Sequence, residues 1–409
     1  MSNQRKKKIL IFDLGSRLGS VGGAERVAAF LFSGLRKYGF NTYYLGYDNE
    51  YLPRDKNIFV LGDVKQKQVK NAVERHKLRG LLSSRVVRLL YYTFYSLHAS
   101  NAGEIKRRIT EIDPDVIISN SILDFMILKK IRGIKIVYVD HANASGEYKN
   151  SFDPHVQPLA FGTGVPIGLE RSKRRFFKLF DVVVALNLRQ EESLRKYNKN
   201  VVVIPNGMLL EKSQIEKAKL DAIKDKIGIG KNGRVVLYVG RFDEKQKNVS
   251  TLIKAFKKMA DSSLKLVLVG DGKSMQMYRA LAEGSSSILF AGRVSEEELP
   301  YYYSMADLYV IPSRWESFNL SIIEAASFGV PLLLSKNAVP KDFESEFDGR
   351  LFTFDPENIE ELKDKMEEFF ASAGLQERLK ALSDDISREY SKERQLSRYV
   401  EMLKKLGEA

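Results

Sequence analysis

Short, almost unbroken apolar runs alternate with helix-patterned stretches along this sequence, and that alternation leaves few folds open. In the first half the runs are 9–13, 42–45, 58–61, 116–119, 136–140, 182–185 and 201–204. In the second half they are 235–239, 265–269, 287–290, 308–311 and 332–334, with 351–354 as a weaker addition. A strand that is apolar throughout needs cover on both faces, and helices between successive strands supply it as parallel sheets. The predicted class is therefore α/β with doubly wound, Rossmann-like sheets. The rhythm restarts after Pro205-Asn206-Gly207, a turn signal, and a length of 409 residues suits two domains. The reading divides the chain into domains at 1–206 and 207–384, followed by a helical segment at 385–409. In that last segment Ile386, Tyr390, Leu396, Tyr399, Val400 and Leu403 recur amid charges, as in amphipathic helices. Ligands of such sheets bind at the carboxyl ends of the strands.

Composition narrows the chemistry. There is no cysteine, so disulfides and thiolate metal sites are excluded. The apolar run that follows the basic start, Ile9 to Leu14, is too short for a signal peptide and reads as a first buried strand. No run of about eighteen apolar residues is present, so no transmembrane helix is expected. Charge is lopsided: residues 1–205 hold 35 Lys and Arg against 19 Asp and Glu, a net +16, whereas the remainder holds 31 against 33, a net −2. The first half is thus expected to meet an anionic partner. No known nucleic-acid motif accompanies the charge, so an anionic membrane surface or a lipid-linked phosphate is the better fit and nucleic acid is not expected.

The most specific stretch is 307–336, DLYVIPSRWESFNLSIIEAASFGVPLLLSK. A strand ends at Pro312-Ser313, a polar turn carries Glu316, and a helix-forming run carries Glu324. Eight positions is a little over two helical turns, so the two carboxylates can address one cleft. The unpaired amides at the helix start form an anion site. Phosphate-binding amides beside hydroxyl-binding carboxylates suit a sugar nucleotide. The E-x7-E spacing, the following Gly329-Val330-Pro331 and the preceding ADLYVIPS resemble the donor-site signature of retaining glycosyltransferases of family 4, which have the GT-B fold. The resemblance implies two domains facing across a cleft, the first for the acceptor and the second for the donor, with a terminal helix crossing back to the first.

Further motifs fit the same family. Tyr238-Val239-Gly240-Arg241 and the loop to Lys247 resemble its strand, basic loop and helix element. Arg241 and Lys247 match the pair that holds the donor diphosphate, where fixed cations stabilise the charge growing on the leaving group. The resemblance assigns sugar hydroxyls to Glu316, ribose hydroxyls to Glu324, and backbone amides for the phosphate or sugar to Phe318, Asn319 and Leu320. The family more often has glycine at 317 and 319, so Ser317 and Asn319 are departures. Gly270 and the Arg293-Val294 pair match loops that line the nucleotide. Gly22 and Gly23 open a helix where backbone can approach a phosphate or sugar. The segment is not a G-x-G-x-x-G fingerprint, which disfavours nicotinamide binding. His141 closes a strand at a carboxyl end, where the family places a histidine near donor sugar and acceptor.

Asp113-Pro114-Asp115 fits a D-x-D string, but it precedes a buried strand and reads as a helix-to-strand turn. No convincing metal-ligand spacing occurs elsewhere, so no metal or other cofactor is expected. Residues 65–109 mix many cations, Lys77, Arg79, Arg85 and Arg88 among them, with aromatic and aliphatic residues, a composition suited to a lipid headgroup region or acceptor, the alternative being a helix packed on the sheet with a solvated basic face.

The combined expectation is retaining, metal-independent transfer of a hexosyl unit from a UDP- or GDP-sugar to a hydroxyl of a glycan or lipid-linked acceptor. The setting would be surface polysaccharide or glycolipid synthesis, on the inner, cytoplasmic face of the plasma membrane. The alternatives are a phosphorylase or disaccharide synthase on the same fold, and a non-catalytic scaffold of a glycan-assembly complex.

Overall fold

The computed structural model describes residues 5–14, 23–48, 51–61, 102–121, 124–141, 174–210, 215–230, 233–316 and 318–408. Gly22, Ser317 and the four cations Lys77, Arg79, Arg85 and Arg88 lie outside the described residues, as does most of the basic segment 65–109. The chain divides into two compact units. Unit 1 comprises residues 1–205 with 396–409, and unit 2 comprises residues 206–395.

Each unit is built on one parallel sheet. Unit 1 has seven strands: β1 (Lys8–Asp13), β2 (Asn41–Gly46), β3 (Ile58–Val60), β4 (Val116–Ser119), β5 (Lys135–Val139), β6 (Val182–Ala185) and β7 (Val201–Val203), in the order β3-β2-β1-β4-β5-β6-β7. Unit 2 has six: β8 (Arg234–Val239), β9 (Leu264–Val269), β10 (Ile288–Gly292), β11 (Leu308–Ile311), β12 (Leu332–Ser335) and β13 (Thr353–Phe354), ordered β10-β9-β8-β11-β12-β13. Ile9 pairs with Thr42 on one side and Val116 on the other, and Val236 pairs with both Leu266 and Leu308. The fold class is thus two doubly wound, Rossmann-like halves. In each sheet the order reverses once, between β1 and β4 and between β8 and β11. Loops leaving the carboxyl ends of such a pair diverge to opposite faces and open a crevice for ligands.

One local device sets both reversal points. Asp115, just before β4, accepts from the Lys8 amide at 2.7 Å while its own amide donates to the Lys8 carbonyl at 2.9 Å. Asp307, just before β11, makes the same exchange with Val235 at 2.7 and 2.9 Å. Asp181 repeats it with Ile136, ahead of β6. A carboxylate in this place satisfies the first amide of a neighbouring strand and fixes the register. Asp115 is therefore committed to the sheet, which is the structural role of the D-x-D string.

The cores are aliphatic and aromatic. Unit 1 packs Leu10, Phe12, Ile117, Tyr138, Phe176 and Phe177 among others, and unit 2 packs Val236, Leu268, Tyr303, Tyr309, Ile322 and Phe343. The helix Ala373–Glu389 belongs to unit 2 and lays Leu375, Leu379, Leu382 and Ile386 inward. The chain returns to unit 1 only at Leu396, within the helix Lys392–Glu408, whereas the sequence reading placed that crossing at 385. The run 287–290 extends as β10 to Gly292 through a register shift, and 351–354 shortens to two residues.

Candidate functional site

The reversal point of unit 2 brings two loops together. After β8 the chain runs through Gly240 and Arg241 to a single helical turn, Glu244–Lys247. Asp243 caps that turn by accepting from the Lys245 amide. Asn248 ends it in the left-handed region at φ 51°, and its side-chain amide donates to the carbonyls of Pro312 and Pro356. This turn delivers Lys247 to the second loop, which leaves β11 through Pro312 and Ser313. Lys247 Nζ lies 2.6 Å from Glu316 Oε1, with the two side chains 13% and 6% exposed. Glu316 is buried and Lys247 half-buried, which separates this pair from ordinary surface ion pairs, because removing the lysine would strand the carboxylate's charge.

Two neutral donors reach the same oxygen. Ser313 Oγ donates at 2.6 Å and Asn319 Nδ2 at 3.3 Å. Asn319 Oδ1 accepts from the amide and hydroxyl of Ser321, which caps the helix Leu320–Ser327. With Ser321 and Ile322 amides engaged by Asn319, the amides of Phe318, Asn319 and Leu320 have no acceptor among the described residues. Those amides precede a helix whose dipole favours an anion.

Glu324 sits one side of that helix, buried, and accepts from Tyr303 Oη at 2.9 Å. The two glutamates thus lie on one helix and its approach but answer to different partners. Arg241 is exposed and donates to Gln246 Oε1 at 3.1 Å. Gln246 also donates to the Trp315 carbonyl and accepts from the Arg314 amide, so it ties the Arg241 loop to the turn before Glu316. The carboxyl ends of β8, β9 and β10 are laced together. Gly240 donates its amide to Val269, and Gly270 to Gly292, just before Arg293 and Val294. Gly270 has φ 137°, and a Cβ there would overlap the Gly240 carbonyl oxygen, so only glycine fits.

In unit 1 the reversal point is polar but differently built. His141 follows β5, and its Nε2 lies 3.1 Å from Oδ1 of Asn120, which follows β4. Burial lowers the His141 pKa to about 4, so the imidazole is neutral at pH 7. In the tautomer with the proton on Nε2, the ring donates to the Asn120 oxygen. Asn120 is 5% exposed and its Nδ2 has no partner among the described residues. Asp124 is fully buried and accepts from Ser119 Oγ and the Leu14 amide. Burial first, and the nearby Asp13 carboxylate second, push its pKa well above the ordinary range. Gly23 opens the helix Gly23–Gly34 after β1.

Sequence reasoning named Lys247, Glu316 and Asn319, which the structure brings together, but it missed Ser313, Gln246, Tyr303 and Asn120. Ser313 carried a usable signal, ending a buried strand three residues before Glu316. Tyr303 and Asn120 carried none, since their contacts span 21 residues each. Among the described residues no group of three or more His, Asp or Glu side chains has metal-binding geometry, and no helix is long and apolar enough to cross a membrane.

Comparison with known proteins follows the same division. Residues 21–212 match the family model described as glycosyltransferase family 4, and residues 220–383 the model described as glycosyl transferases group 1. An alpha-monoglucosyldiacylglycerol synthase of Streptococcus pneumoniae is 25% identical over 46% of this chain and 45% of its own length. A UDP-Gal:alpha-D-GlcNAc-diphosphoundecaprenol alpha-1,3-galactosyltransferase of Escherichia coli is 32% identical over 37% and 41%. The chain spans less than half the length of these curated relatives. Among solved structures, sucrose-phosphate synthase from Thermosynechococcus elongatus superposes with a TM-score of 0.72 at 16% identity, covering 98% of this chain and 99% of that one. Anabaena HepE in complex with UDP and glucose gives 0.70 at 16% identity, covering 98% and 100%. At such identities the structural likeness speaks to the fold.

Proposed function

The chain belongs to the family 4 type of GT-B glycosyltransferases, and from that premise we propose that it moves a hexosyl unit from a nucleoside diphosphate sugar to a hydroxyl of a glycan or lipid-linked acceptor, with retention and without a metal. The observation that carries the donor half of this reading is the shielded Lys247–Glu316 pair beside the three open amides of residues 318–320. Lys247 has three N–H groups, of which one serves Glu316. The others suit a diphosphate oxygen, and charge on that oxygen grows as the bond from the sugar's anomeric carbon breaks. A cation and helix amides fixed in advance stabilise that growing charge most in the transition state. Glu316 accepts from a sugar hydroxyl and Glu324 from ribose. The acceptor oxygen bonds to the anomeric carbon on the face the diphosphate leaves, and its proton passes to the departing phosphate oxygen. His141, neutral, hydrogen-bonds a donor or acceptor hydroxyl.

Of the relatives named above, one by its description makes alpha-monoglucosyldiacylglycerol and the other transfers galactose to a diphosphoundecaprenol-linked GlcNAc. Together with the net charge of +16 on residues 1–205, this supports a lipid-linked acceptor taken from an anionic membrane surface on the cytoplasmic side. Calorimetry with UDP and GDP, without metal and then with magnesium, tests the donor site, followed by turnover of their sugars and assignment of the product anomer by NMR. Metal-independent binding of one nucleotide and an anomer matching the donor's are expected; binding of neither refutes the donor assignment. Sedimentation with vesicles containing anionic phosphatidylglycerol tests the surface, and unchanged binding by an Arg85→Glu/Arg88→Glu variant would remove the assigned contact.

A further inference from the structure

Glu316 is held by more donors than an ion pair requires. Oε1 receives Lys247 Nζ, Ser313 Oγ and Asn319 Nδ2 at 2.6, 2.6 and 3.3 Å. A carboxylate oxygen offers two lone pairs, so three donors fill it. No described residue donates to Oε2. The carboxylate therefore enters a complex with one oxygen engaged and one open.

Asn319 joins that carboxylate to the helix behind it. Its Oδ1 caps the helix through the Ser321 amide at 3.1 Å, and its Nδ2 serves Glu316. The backbone at Asn319, φ −92° and ψ 102°, is one that any L-residue adopts. Nothing in that backbone calls for the glycine that resembling sequences more often carry here. What glycine lacks is the side chain, and in this chain the side chain spans two elements.

We propose that Asn319 is a positioning residue for the donor sugar: by tying Glu316 Oε1 to the helix cap, it presents Oε2 as the one oxygen that accepts from a sugar hydroxyl. The need for it arises when donor binds. Diphosphate oxygens compete for Lys247, and the ion pair that alone would steer Glu316 is shared. Ser313 and Asn319 are uncharged and buried, so they hold Oε1 in place while Lys247 turns partly to the phosphate. Asn319 thereby acts through Glu316 and sets affinity for the sugar rather than for the nucleotide. This inference rests on the donor-site reading above.

The test compares sugar with nucleotide in variants that keep the helix cap. Asn319→Ser retains an oxygen for the Ser321 amide and removes Nδ2, the atom that donates to Glu316; the shorter hydroxyl is engaged at the cap. Asn319→Asp retains the cap and sets a second carboxylate against the first. Binding of UDP, GDP, UDP-glucose and GDP-mannose is measured by calorimetry for the parent and both variants, with thermal unfolding alongside. For the nucleotide sugar that the parent binds, N319S is expected to weaken affinity by about tenfold, the worth of a charge-assisted hydrogen bond, while the matching free nucleotide changes less than about twofold. N319D is expected to lose more than N319S at pH 8 and to recover part of that loss as pH falls and the carboxylate pair takes up a proton. Equal losses for nucleotide and nucleotide sugar, or no loss, overturn the inference while leaving the donor site intact. If the parent binds none of the four, the donor-site reading falls and the inference with it.

Discussion

The two units solve the same folding problem in the same way and then diverge at the carboxyl ends of the strands where the sheet order reverses. Both reversal points are locked by an aspartate exchanging two hydrogen bonds with the central strand, Asp115 with Lys8 and Asp307 with Val235. At the carboxyl ends the likeness stops. Unit 2 presents a charge network, with half-buried Lys247 paired to buried Glu316, and the carboxylate braced by Ser313 and Asn319. Unit 1 presents a neutral imidazole, an amide with an unused donor and a carboxyl group whose pKa burial raises. A site for a diphosphate must hold charge ready before the ligand arrives, because reorganising it during reaction raises the barrier. A site for hydroxyls does better with neutral hydrogen-bonding groups, which desolvate at lower cost.

The strongest way to break this contrast is Lys247→Ala. It strands Glu316 in a buried place with only neutral donors, so kcat/KM for nucleotide-sugar turnover should fall about 10²- to 10³-fold. A fall below about threefold would show that the charge network is not what distinguishes unit 2. Next in size is Gly270→Ala, expected to cost about 3 kcal/mol or more in denaturant unfolding, since φ 137° and the Gly240 carbonyl both oppose a side chain. Its control lies in unit 1: Gly133 has φ 78° with open space around it, and Gly133→Ala should cost only about 1 kcal/mol. Equal costs would mean that the strand ends of unit 2 are not packed as tightly as described.

The third prediction concerns pH. The His141 pKa in the folded chain, about 4, lies below its ordinary 6.5. The unfolded chain therefore takes up this proton first as pH falls. The contribution to stability is complete above about 6.5 and is lost between 6.5 and 4, and it is worth less than about 3 kcal/mol. His141→Gln should flatten the stability profile in that window; an unchanged profile would show that the histidine is already solvated. The smallest effect is Tyr303→Phe, which removes one hydrogen bond to Glu324. Free-nucleotide affinity should weaken about fivefold, and a loss confined to the sugar would reassign Glu324.

Much of the frame was legible because its signals are local. Apolar runs such as 116–119 and 308–311 became strands with those bounds. The extension of β10 to Gly292 was not, since it depends on a register shift against β9 rather than on residue preference. The site divides likewise. Glu316, Asn319 and Ser313 lie within seven residues; Glu316 announced itself in a motif, and Asn319 stood there as a departure from it. Tyr303 and Gln246 act through partners 21 and 69 residues away, and no spacing rule reaches that far. The sequence also suggested that the two glutamates can address one cleft; the pairing of Glu316 with Lys247 and of Glu324 with Tyr303 was not legible in it. Arg241 matched the motif as a cation, and its hydrogen bond to Gln246, which ties its loop to the turn before Glu316, was not legible in the sequence.

Unit 1 is written in two pieces, residues 1–205 and 396–409, with unit 2 inserted between them. A side chain on Gly34 would run into Leu396, so the helix of residues 396–408 packs directly against the helix that follows β1. During synthesis, unit 2 therefore has all its strands before unit 1 has its closing helix. The half made first is the half finished last. A ribosome that stops near residue 395 would release a complete unit 2 attached to an unfinished unit 1, whose apolar patch around Gly34 would be left open to chaperones or aggregation.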